Sequence, residues 1–109
     1  MELAFETRPL RDICESEASA RRELGNKVAK RLKSRLADFI AAAHASEIPV
    51  GRPQEVRVRG RPCISVELAH GVRIVFSANH DKIPQAESRH VDWSKVNRIK
   101  ILKIGADYE

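Results

Sequence analysis

Residues 61–77, RPCISVELAHGVRIVFS, decide the fold of this chain. Cys63, Ser65 and Glu67 alternate with Ile64, Val66 and Leu68. After His70-Gly71, Val72, Ile74 and Phe76 alternate with Arg73, Val75 and Ser77. A period of two is the signature of a strand with one buried face. His-Gly between two such runs reads as a tight hairpin turn. The stretch therefore predicts two antiparallel strands with an apolar face and a polar one.

Working outward, the alternation continues upstream. Glu55, Arg57 and Arg59 alternate with Val56 and Val58, and GRP (60–62) reads as the intervening turn. Downstream, residues 79–92 are polar and contain Pro84, which predicts a long loop. Trp93 opens a short turn and serves as a core or loop anchor. Val96 to Ile104 reads as a last strand.

The N-terminal half has a different period. Residues 2–7 alternate and predict a short first strand. Pro9 suits the first turn of a helix, where its missing N–H costs nothing. A helical pattern runs from there to Leu24 with a break near Ser16. Gly25 is expected as a C-terminal cap and Asn26 as the next N-cap. From Lys27 to Ala45, Val28, Leu32, Leu36, Phe39, Ile40 and Ala43 form one apolar stripe. Residues 48–53 (IPVGRP) end it. The expected fold class is α+β: β-α-α-β-β-β(-β), an antiparallel sheet with two helices packed on one face, as a single domain over 1–109.

The chain has 109 residues, a net charge of +5 and a sequence pI near 9.6. The excess of basic residues is central, from Lys27 to Arg73. Period-two geometry puts Ile64, Val66, Leu68, Val72, Ile74, Phe76, Ile99 and Ile101 toward the helices. The opposite face then carries Arg57, Arg59, Ser65, Glu67, Arg73, Arg98 and Lys100. Like charges on neighbouring strands repel, so this concentration points to an anionic partner, with a merely solvated basic face as the alternative. Guanidinium groups match phosphate in a bidentate manner and keep their charge.

Other classes are excluded. No apolar run approaches the length of a membrane span, and MELAFETRPL lacks the features of a secretory signal. Two cysteines, Cys14 and Cys63, do not make a disulfide framework, so a cytoplasmic protein with inert thiols is expected. His44, His70, His80 and His90 are scattered and no Gly-rich phosphate loop is present, so neither a metal nor a cofactor is expected. The aromatic residues, Phe5, Phe39, Phe76, Trp93 and Tyr108, are too few on the open face for a base-stacking platform.

The whole chain resembles the RelE/HigB toxin superfamily, and is most similar to its HigB-like group. The resemblance rests on Phe5, Leu10, Cys14-Glu15, Gly25, Ala29, Leu32 and Arg35-Leu36. It continues through Val66-Glu67-Leu68, His70 and Val72-Arg73-Ile74-Val75-Phe76. It ends on VDWSKV (91–96), Ile99, Ile101-Leu102, Ile104 and Asp107-Tyr108. The resemblance implies a ribosome-dependent, metal-independent mRNA endonuclease of a type II toxin–antitoxin system, which inhibits translation. It also implies a HigA-like helix-turn-helix antitoxin, through which alone operator DNA would be contacted.

Carried over residue by residue, Arg73 matches the family's phosphate-holding arginine. His70 matches a histidine preceding that strand, and Tyr108 the tyrosine of a terminal Asp-Tyr-His. Glu109 stands where that group has histidine, which raises the alternative of an impaired toxin-fold module that binds RNA or an antitoxin without cleaving. The candidate catalytic set is Arg73, Tyr108, His70, Glu109 and Glu67, because cleavage needs a base, an acid and a cation at the phosphate. The candidate RNA-binding set is Arg57, Arg59, Arg61, Arg98 and Lys100.

Overall fold

The computed structural model describes residues 1–48 and 51–106. The element order is β1 (Glu2–Phe5), α1 (Arg8–Glu15), α2 (Glu17–Leu24), α3 (Asn26–Ala41), β2 (Gln54–Val58), β3 (Arg61–Ala69), β4 (Val72–Ala78) and β5 (Arg98–Ala106). Single 3-10 turns occur at Ala45–Glu47 and Trp93–Lys95. The α+β architecture is the expected one. The five strands form one sheet in the order β1-β5-β4-β3-β2. All neighbours are antiparallel except β1 and β5, which run parallel because the three helices lie between β1 and the meander.

The break near Ser16 is a complete one, so three helices stand where two are expected. Ser16 is the C-cap of α1 and the N-cap of α2, with its Oγ accepting from the Ser19 amide at 3.2 Å. Thr7 caps α1 in the same way, and its Oγ1 accepts from the Leu10 amide. Gly25 takes over the role expected of Asn26. At φ +85° it ends α2 and opens α3, and no side chain caps α3.

α3 buries Val28, Ala29, Leu32, Leu36 and Phe39 against Ile64, Val66, Leu68, Ile74, Phe76, Ile99 and Ile101 of the sheet. Phe39 and Phe76 meet edge-on at 5.4 Å, and Trp93 meets Phe76 edge-on at 6.3 Å. Trp93 is therefore a core anchor, as expected. Ile40 falls off the stripe and is 63% exposed.

The hairpin turns set which side chains share a face. Arg59-Gly60 and His70-Gly71 both have positive φ at their two central positions. This is the pattern of two-residue hairpins, whose twist matches that of the strands. The first turn is thus 59–60 rather than 60–62, and Arg61 already pairs with Val58. One residue of turn length inverts the parity of β2. Arg57 pairs with Pro62 and shares the side of Ile64, not of Ser65.

The 79–92 loop is also more ordered than a polar tract suggests. Gln85 bridges Val91, the Ala86 amide donates to His90 O, and the Asp92 amide donates to Pro84 O at 2.9 Å. These bonds fold 84–92 into a small hairpin with Arg89 at φ +67°. No described helix is long and apolar enough to cross a membrane.

Candidate nucleic-acid interface

The sheet face turned away from the helices has a floor of short side chains. Cys63, Ser65, Val75 and Ser77 are buried there. Arg73 lies among them on β4 and is itself only 8% exposed. Burying a guanidinium requires hydrogen bonds to replace its water. Arg73 Nε donates to Ser65 Oγ at 2.5 Å, and Nη2 donates to the carbonyls of Ser65 and Arg52, each at 2.9 Å. These three acceptors are neutral oxygens. They orient the fork.

The Arg52 carbonyl reaches Arg73 because residues 51–52 cross the end of the sheet. β2 covers β3 only as far as Ser65. Beyond it, the Glu67 amide donates to Gly51 O at 2.6 Å and continues the edge. Gly51 is at φ +92°, and a Cβ there would drive into Val66 Cγ1 and press on Arg35 Nε. Only glycine fits this crossing. Arg35 is itself tucked under the segment, with Nη1 held by Asp38 at 3.3 Å and Nε buried without an acceptor among the described residues.

The other candidates divide into three groups. Glu67 is the direct cross-strand partner of Arg73 and is half-buried on the same face. His70 follows in the hairpin turn at φ +52° and is exposed. Arg73 and Glu67 therefore come together, with His70 at the near end of the same hairpin. Tyr108 and Glu109 lie outside the described residues.

The cationic set is less concentrated than the alternation implies. Arg98 and Lys100 do lie on the open face of β5, but Arg98 pairs with Glu2 at 3.7 Å and Lys100 with Glu6 at 3.6 Å. Arg61 is on the open face at the start of β3. Arg59 sits in the turn, and Arg57 lies on the opposite side, for the reason of turn length given above.

Four participants are absent from the predicted set of site residues. Ser65 and the Arg52 carbonyl hold Arg73, Gly51 admits the crossing, and Lys103 lies on the open face opposite Val75. Lys103 is hidden in the sequence by a bulge. The register shifts between Val75 and Phe76, which pair with Lys103 and Ile101. Parity read from Ile99 and Ile101 would put position 103 in the core; the extra residue, Leu102, reverses it.

Both thiols are poorly suited to chemistry. Burial pushes the Cys14 thiol up to about 12, helped by the Glu15 carboxylate, and burial also raises Cys63. A thiol held protonated is a weak nucleophile. Among the described residues, no group of three or more His, Cys, Asp or Glu side chains could hold a metal ion.

The strand order and the helices packed on one sheet face make a fold that solved structures share. Two solved structures carry it. The YoeB–YefM complex from Staphylococcus aureus matches with a TM-score of 0.60 at 17% identity, over 99% of this chain and 98% of that one. A heterotetrameric YoeB–YefM toxin–antitoxin complex from the same organism matches at 0.59, with the same identity and coverage. At that identity the likeness is one of fold. No family model and no curated protein matches the sequence.

Proposed function

We propose that this chain is the toxin of a type II toxin–antitoxin pair and acts as a metal-independent endoribonuclease on mRNA at the ribosome. The observation that carries the reading is Arg73, a guanidinium buried in an open sheet face and held by neutral oxygens. A guanidinium fork oriented by those acceptors has the geometry to take a phosphate. The fold shared with the YoeB–YefM toxin–antitoxin complexes supports the class. The HigB-like sequence resemblance supports ribosome dependence, a HigA-like partner and a cytoplasmic site of action.

In this reading Arg73 binds the scissile phosphate, and Arg61, Arg98 and Lys100 add charge along the same face. Glu67 takes the 2′-hydroxyl proton, and His70, Tyr108 or Glu109 protonates the leaving 5′-oxygen. Glu2 and Glu6 hold Arg98 and Lys100 in exposed ion pairs, which cost little to exchange for phosphate. The second reading, a toxin fold that binds without cutting, is favoured by Glu109 in the place of histidine. Incubation with translating ribosomes separates them: cleavage of the mRNA supports the first, and ribosome binding with intact mRNA supports the second.

A further inference from the structure

The parity that takes Arg57 off the open face brings it to a second basic cleft. This cleft, of about 350 Å³, lies between the β2–β3 hairpin and the 84–92 hairpin. Its walls include Glu55, Arg57, Pro62, Arg89, His90 and Val91. Arg57 Nη1 donates to Gly60 O at 2.7 Å, which fixes the guanidinium against its own turn. His90 Nδ1 is 3.0 Å from Ser88 Oγ. Arg89 is presented from a left-handed position in a hairpin closed at both ends by backbone bonds. Among the described residues, Arg57, Arg59, Arg61 and Arg89 form no ion pair, whereas Arg98 and Lys100 do.

We propose that this cleft is a second RNA contact, which takes one unstacked nucleotide and its flanking phosphates. Arg57 and Arg89 bind the phosphates, and Pro62 and Val91 supply an apolar wall for the base. Glu55, the one carboxylate among the described residues lining the cleft, accepts from the exocyclic amine of adenine, cytosine or guanine. Uracil has no such amine. A single strand is the fitting partner, because RNA sequence is read where bases are splayed out. An acidic peptide would meet Glu55 as a repulsive neighbour. From the cleft, Arg59 at the hairpin tip and Arg61 on the open face lay a cationic path toward Arg73. The proposal rests on the reading of this chain as an RNA-directed protein but not on the cleavage step, so a chain that fails to cut mRNA leaves it standing.

The test uses the full chain with short 2′-O-methyl oligocytidine and oligouridine, which lack the 2′-hydroxyl and cannot be cut by that route. The expected result is tighter binding of oligocytidine. Arg57→Ala/Arg89→Ala should weaken it about tenfold and flatten the slope of log K against log salt by about 1.4, at about 0.7 per lost phosphate on a single strand. Arg21→Ala/Lys30→Ala, which removes the same charge from α2 and α3, should stay near the parent value. Glu55→Gln should bring oligouridine up toward oligocytidine. Three results would overturn the proposal: equal losses in the two double variants, no preference for cytidine, or equal competition by oligoglutamate.

Discussion

Glu67 and Arg73 face each other across the β3–β4 ladder, as the last regular pair before the ladder slips at Leu68. The slip lets Ala69 pair with Val72 and close the hairpin in two residues. It thereby fixes an acid and a buried cation at one end of the open face, with His70 in the adjoining turn. In the proposed function, this pair is the carboxylate that takes the ribose 2′-hydroxyl proton and the guanidinium that binds the adjoining phosphate.

Arg73→Lys tests whether the fork matters beyond the charge. Lysine keeps the cation but cannot donate to Ser65 Oγ, Ser65 O and Arg52 O in one plane. The variant should remain folded, losing about 1–3 kcal/mol of stability in urea titration. Its growth arrest on expression should vanish at temperatures where circular dichroism shows it folded.

The Ser65–Arg73 bond should appear as an energetic coupling. A double-mutant cycle of Ser65→Ala and Arg73→Ala should give about 1.5–3 kcal/mol, the range for a hydrogen bond to a charged group. Additive losses would mean that the two side chains act separately.

Gly51→Ala should destabilise the chain by about 1–3 kcal/mol, because its methyl overpacks Val66 and the backbone is left-handed there. Since Gly51 O holds the Glu67 amide, amide exchange at Glu67 should accelerate more than exchange in α3.

Cys14 sets an alkaline signature. Its folded thiol titrates near 12 and an unfolded one near 9. A raised folded value contributes stability that is fully present below the unfolded value and is lost as pH rises toward the folded one. The stability difference between the parent and Cys14→Ala should therefore shrink between pH 9 and 12. Iodoacetamide near pH 9 should label Cys14 slowly in the native chain and quickly in urea.

The period-two run of 61–77 made the meander, the apolar face and the position of Arg73 readable, since each depends on local alternation. Features that depend on a count of one residue were not. A two-residue turn at Arg59-Gly60 moved Arg57 to the other face, and the bulge at Leu102 moved Lys103 onto the open one. The acceptors of Arg73 were hidden for a different reason. Arg52 O and Gly51 O are backbone groups brought in by a chain crossing, and a carbonyl leaves no mark in a sequence. The parallel pairing of β1 with β5 is likewise a tertiary fact, set by where three helices return the chain.

The decisive measurement is cleavage of an mRNA on translating ribosomes by the purified chain, read by primer extension beside Arg73→Lys. Discrete cuts are expected with the parent chain and none with the variant. Intact mRNA with the parent chain bound to ribosomes, or equal cutting by both proteins, would contradict the proposed function.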